Sequence, residues 1–118
     1  MGAADTTPEL AAIAVAVAED HPVMREGLAA LLASEGGFTV SGHAASARDT
    51  RSLVTRCTPQ VLVMDLMLAE ADGLALIKDL AALAPALRIV DFSLHAESVY
   101  AERCLRAGAH GYVMKTEP

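Results

Sequence analysis

The run Gln60-Val61-Leu62-Val63-Met64-Asp65 constrains this chain more than any other: four apolar residues in succession, with no helical period, ending in a carboxylate. Such a run predicts a strand buried on both faces, as in a parallel sheet covered by helices. Asp65 then stands at the strand's carboxyl end, the edge where open α/β sheets bind ligands because connections leaving in opposite directions open a crevice. A carboxylate there also serves as an ordinary turn or helix cap. The other strand ends must decide between the two.

Ile13-Ala14-Val15-Ala16-Val17 predicts a first strand, again apolar on both faces, and a second acidic cluster, Glu19-Asp20, follows it. Pro22 suits the first turn of a helix whose apolar stripe is Val23, Leu28, Leu31 and Leu32, and Gly36-Gly37 stops it. Phe38 to His43 alternates like a strand, and Ser46 with Asp49 resembles a capping box opening a short helix to about Cys57. After Asp65 a loop runs through Asp72-Gly73, and Leu74, Leu76, Ile77 and Leu80 recur at helical spacing up to Pro85. Arg88 to Phe92 predicts a fourth strand ending in Ser93. Ala96 to Ala107 predicts a helix closed by Gly108, and His110 to Met114 a fifth strand ending in Lys115. Strand and helix alternate throughout, which implies a mostly parallel sheet with right-handed crossovers and helices on both faces.

A chain of 118 residues makes one domain, and residues 1–11, small and polar with Pro8, are expected to be a disordered lead-in to a folded unit at 12–118. A net charge of −6 argues against nucleic-acid binding by this chain, because neutralising phosphates takes clustered Lys and Arg. Cys57 and Cys104 lack a CxxC context and are expected buried and reduced, in keeping with a cytoplasmic setting. The apolar run Leu10 to Ala18 is flanked by acidic residues and none that is basic, so neither a signal sequence nor a membrane span is expected. His21, His43, His95 and His110 lack ligand spacing and are expected at the surface or in turns.

Parallel strands share their carboxyl side, so Glu19, Asp20, Asp65, Ser93 and Lys115 are all expected on one edge of one sheet. Carboxylates gathered there repel, and a hard divalent cation with oxygen ligands stabilises them; Mg²⁺ with retained waters fits best. A hydroxyl and an ammonium nearby complement phosphate oxygens. The pattern describes a phosphoryl-transfer site in which a carboxylate is the acceptor.

Glu19-Asp20-His21-Pro22, Val63-Met64-Asp65-Leu66 through Asp72-Gly73, Phe92-Ser93 and Gly108 to Lys115 resemble the motifs of the response-regulator receiver domain of two-component signalling. The wording EDHPVMREGL and GYVMK is most similar to receivers that precede a LuxR-type helix-turn-helix domain. The resemblance implies a flavodoxin-like, doubly wound, five-stranded parallel sheet of order 2-1-3-4-5. It implies that Asp65 accepts a phosphoryl group from a histidine kinase, with Mg²⁺ bound by Asp20, Asp65 and the Met67 carbonyl, and by Glu19 through water. Lys115 would pair with the phosphoryl group and Ser93 would donate to it. As Ser93 moves, Tyr112 fills the vacated space, and the changed surface controls a transcriptional output domain. DNA contact would come only through that domain. Phosphoryl lifetime would be tuned by Met67 and His95, with Met67 obstructing the in-line water and slowing self-dephosphorylation. The domain is then a signalling module and not an enzyme.

The chain departs from the family in three places. Ala69 stands where the family usually has Pro, and Asp91 where it has an apolar residue. A carboxylate buried in a strand needs a partner, a raised pKa or access to water. The chain also stops at Pro118, just after the fifth strand, where the family has a fifth helix. One sheet face is then expected to be partly bare, a patch that invites homodimerisation. Asp91 and Ala69 support one alternative, a receiver-like interaction module that switches without phosphorylation. A haloacid-dehalogenase type of enzyme would need a second Asp where Met67 stands, and a dinucleotide-binding fold would need a glycine-rich first turn in place of Glu19-Asp20-His21-Pro22.

Overall fold

The computed structural model describes residues 12–66, 68, 73–93 and 98–114, without the side chains of 93, 98–100, 112 and 114. Apolar runs become strands and amphipathic runs helices in the expected alternation: β1 (Ile13–Ala18), α1 (Pro22–Ser34), β2 (Phe38–Ala44), α2 (Ala47–Cys57), β3 (Val61–Asp65), α3 (Gly73–Leu83), β4 (Arg88–Ser93), α4 (Ser98–Ala107) and β5 (Gly111–Met114). The strands form one parallel sheet of order β2-β1-β3-β4-β5. The chain steps outward from β1 to β2 and then back across the sheet. With right-handed crossovers this reversal puts α1 on one face and α2, α3 and α4 on the other.

Local signals start and stop the helices. Pro22 opens α1, and the Ser46 side chain accepts the Asp49 N–H at 3.1 Å to cap α2. Thr58 ends α2 in the left-handed conformation (φ 44°), and Gly108, at φ 125°, follows α4. Packing then holds them. Leu53 and Val54 of α2, Leu76, Ile77 and Leu80 of α3, and Cys104 and Ala107 of α4 close over Ala16, Ala18, Leu62, Met64 and Ile89 of the sheet. Each large buried side chain contributes about 1.5–3 kcal/mol, well above the few tenths that separate helix propensities.

The other face is less covered than the apolar runs suggested. No residue of α1 is buried; Val23 is 86% exposed and Leu31 56%, while Leu28 and Leu32 are half-buried. Val61 and Val63 are likewise half-buried, so β3 is not sealed on both sides as expected. Among the described residues α1 packs mainly on β1 and β2, too narrow a cover for its own stripe and for β3. Cys57 is also only half-buried, although both cysteines are free as expected. Residues 1–11, with their expected disorder, lie outside the described residues, as do Ala69 and the loop to Asp72. No described helix is long and apolar enough to cross a membrane.

Gly73 fixes how the chain leaves the Asp65 strand. A Cβ on it would overlap the Leu66 carbonyl oxygen, backbone that cannot swing aside as a side chain can. Gly73→Ala is therefore expected to destabilise the fold by about 1–3 kcal/mol, against the helix-propensity gain of about 1 kcal/mol that Ala would otherwise bring. Urea midpoints of the two proteins check this; an unchanged or higher midpoint for Gly73→Ala contradicts it.

Candidate functional site

The sheet register brings the acidic residues together. Ala18 lies beside Met64 in the β1–β3 ladder, so Glu19 and Asp65, one step further on each strand, come side by side at the carboxyl edge. The Glu19 N–H donates to the Ala44 carbonyl at 3.0 Å, extending the ladder one residue past β1. Glu19 is 0% exposed and Asp65 2%, while the Asp20 side chain reaches partly into solvent. One ligand atom from each of Glu19, Asp20, His21 and Asp65 lies within 4.8 Å of all the others.

His21 is in this group against expectation. It stands at the N-cap of α1, yet its side chain caps no helix N–H. Its Nδ1 lies 2.9 Å from Glu19 Oε2 and 3.3 Å from Asp20 Oδ1, and its backbone N–H donates to Glu19 Oε2 at 3.1 Å. Its position directly after Glu19-Asp20 was the signal; ligand spacing, judged between histidines, could not see it. Arg25, one turn into α1, was also missed. Its Nη1 donates to the Glu19 carbonyl at 2.9 Å, setting a guanidinium under the acidic turn and steadying it. Two charges of one sign about 5 Å apart repel by roughly 3 kcal/mol at an effective dielectric near 20, so three carboxylates at this edge need cationic company.

Ser93 ends β4, the strand beside β3, and Tyr112 lies within β5, the next strand out. Their side chains, and Met67, His95 and Lys115 altogether, are outside the described residues. His43 and His110 stay out of the acidic group; His110 Nδ1 accepts the Ile89 N–H at 3.1 Å at the opposite edge. Glu102 and Arg106 pair at 3.1 Å on the solvated face of α4.

Asp91 is 0% exposed in β4, and neither carboxyl oxygen has a well-formed hydrogen bond among the described residues. Burial pushes its pKa up to about 7; the Cys104 thiol facing it from α4 lowers it somewhat, and the Asp65 charge raises it again. Cys104 is in turn pushed up to about 12, by burial first and then by Asp91. The buried strand carboxylate thus resolves its cost by a raised pKa.

A groove of about 680 Å³ lies at the far, amino edge of the sheet, lined by Ile13, Val54, Pro59, Val61 and Leu87 among others. Gln60 Oε1, one of its few polar groups, already accepts the Ala14 N–H at 2.8 Å. It gathers no reactive groups, and the chemistry belongs to the carboxyl edge.

Similarity to known proteins agrees with that placement. The transcriptional regulatory protein YxjL of Bacillus subtilis is 33% identical over 103 residues, 87% of this chain and 47% of its own. A LuxR-family two-component response regulator from Aurantimonas sp. is 33% identical in a solved structure with TM-score 0.86, over 91% of this chain and 76% of that one. A response regulator from Burkholderia pseudomallei, solved with a phosphorylated aspartic acid, a calcium ion and citrate, is 26% identical with TM-score 0.81 over 90% of this chain and 61% of that one. The chain spans about half the length of the curated relatives it matches. The response regulator receiver domain matches residues 15–118, from β1 through the acidic turn, Asp65 and β5, and the chain belongs to that family.

Proposed function

We propose that residues 12–118 are the phosphoryl-accepting input unit of a two-component transcription regulator, with Asp65 as the acceptor and a sensor histidine kinase as the donor. The observation that carries this reading is Asp65 itself, nearly buried at the end of the central strand with Glu19 and Asp20 gathered against it. An Asp65 carboxylate oxygen attacks phosphorus, the phosphorus–nitrogen bond to the kinase histidine breaks, and its electron pair stays on the imidazole, which then takes up a proton. The product is an acyl phosphate.

The donor set fits a divalent cation, because three carboxylates present oxygens within one coordination sphere. Asp20 and Asp65 would bind Mg²⁺ directly with the Met67 carbonyl, and Glu19 through water. Bound there, Mg²⁺ supplies positive charge to the phosphoryl oxygens. Glu19, fixed by the Ala44 carbonyl and the Arg25 contact, keeps the acidic turn in place around Asp65. Lys115 and Ser93 would hold the phosphoryl oxygens, Tyr112 would follow Ser93, and Met67 with His95 would set the lifetime. DNA contact would belong to residues outside this chain, whose net charge of −6 suits no phosphate backbone. The setting is the cytoplasm, where sensor kinases present their phosphohistidine.

Intact-mass spectrometry after incubation with Mg²⁺ and acetyl phosphate tests the proposal; a chain that never gains one phosphoryl mass refutes it. Asp20→Asn is expected to weaken Mg²⁺ binding at least tenfold, followed by NMR titration. Shifts remote from Glu19, Asp20 and Asp65 would refute the metal assignment.

A further inference from the structure

We propose that Pro8-Glu9-Leu10-Ala11, which lie outside the described residues, cross the groove at the amino edge of the sheet as an intramolecular strap, with Leu10 seated in the groove and Glu9 paired with Arg88. The groove, of about 680 Å³, is walled by the start of β1 (Ile13), the last turn of α2 (Val54), the start of β3 (Pro59, Val61) and the entry to β4 (Leu87, Arg88). It therefore runs across the amino ends of three neighbouring strands. Most of its lining is apolar, and the Gln60 side chain is already spent on the Ala14 N–H at 2.8 Å. Water in such a hollow finds few partners, so an apolar occupant displaces it with a gain.

The approach of the chain to β1 selects the occupant. The Ile13 N–H donates to the Gly37 carbonyl at 2.8 Å and Ile13 also forms one wall of the groove, so the residues before it enter at the rim. Arg88 lies two strands over from β1 and level with Val15 in the register, about 12 Å from Ile13 at ordinary strand spacings. Four residues of extended chain reach about 13–14 Å, which brings Glu9 to Arg88 and leaves Leu10 over the groove between them. Arg88 is the one charged residue among those lining the groove, and it has no ion-pair partner among the described residues. An exposed pair of this kind adds little energy; it sets the position of the strap, while burial of Leu10 supplies most of the attraction. A second copy is the poorer occupant. The eleven residues that line the groove fall well short of the roughly 20–30 a side that a stable dimer uses, whereas a segment tethered at the rim has an effective concentration on the order of millimolar.

NMR of the whole chain tests the strap. Nuclear Overhauser contacts are expected between the Leu10 methyls and those of Val54 and Val61, with the Leu10 and Ala11 amides exchanging at least about tenfold more slowly than in an unstructured peptide. Leu10→Ser is expected to abolish that protection. Arg88→Glu is expected to reduce it, and Glu9→Lys combined with Arg88→Glu to restore it. Neither Leu10 nor Glu9 belongs to the described core and Arg88 is exposed, so these variants leave the fold intact. Wild-type amides that exchange at the unstructured rate, without contacts to Val54 or Val61, overturn the proposal. Contacts found only between differently labelled copies, in a chain that sediments as a dimer, overturn it in favour of a second copy. A double reversal that restores nothing overturns the pairing of Glu9 with Arg88.

Discussion

Asp65→Asn is expected to reduce phosphoryl incorporation from acetyl phosphate to background while leaving the fold intact. The amide is nearly the shape of the carboxylate but lacks the anionic oxygen that attacks phosphorus. The same substitution removes one of three mutually repelling charges, so the urea midpoint should hold or rise. The two readouts separate loss of chemistry from loss of structure. Undiminished labelling in a folded Asp65→Asn would move the acceptor elsewhere. Asp91 is a poor substitute, since it is sealed from solvent beneath α4 and no donor can reach it.

Asp91 is instead expected to make stability depend on pH in an unusual direction. Its pKa is about 7 in the folded protein against an ordinary 3.8, so between those values the folded state holds a proton that the unfolded state has released. The stabilisation that this proton represents is complete below about pH 4, and it is lost as pH rises through 7. A shift of about three units corresponds to on the order of 4 kcal/mol across that interval. Asp91→Val fills the strand position with an apolar residue and removes the titration. It should raise stability at pH 8 by about 2–4 kcal/mol while changing little near pH 4. Urea midpoints of both proteins from about pH 4 to pH 8 measure the difference; parallel profiles would refute the assignment. Because the Asp65 charge is one cause of the shift, Asp65→Asn should also lower the Asp91 midpoint.

Much of this molecule is legible in one dimension because its strands are short apolar runs and its helices carry their own start and stop residues. Val61 to Asp65, the Ser46 cap and Gly108 lie where pattern placed them. A right-handed crossover leaves a βα repeat few ways to fold, and carboxylates at strand ends must then share an edge. Glu19, Asp20 and Asp65 were recognisable on that ground alone, and their gathering in the structure follows from the register.

What lies between elements was not legible. His21 is next to Glu19 and Asp20 in sequence, but whether its ring turns to the helix or to the carboxylates depends on the backbone of the turn after β1. The reach of Arg25 back to the Glu19 carbonyl needs the first turn of α1 in place. The half-covered faces of Val61 and Val63, and the exposure of Leu31, depend on what a helix lies against, which periodicity does not state. Asp91 was visible as a misfit, yet its proton is held first by burial, with Cys104 working against it and the Asp65 charge adding to it; these residues, thirteen and twenty-six away in sequence, are brought near only by the sheet and α4. Sequence by itself determined which residues are apolar, which turn and which carry charge, because those are properties of local runs. Tertiary structure alone decided how each buried charge is compensated, because electrostatic and desolvation energies depend on distances that only the folded chain sets.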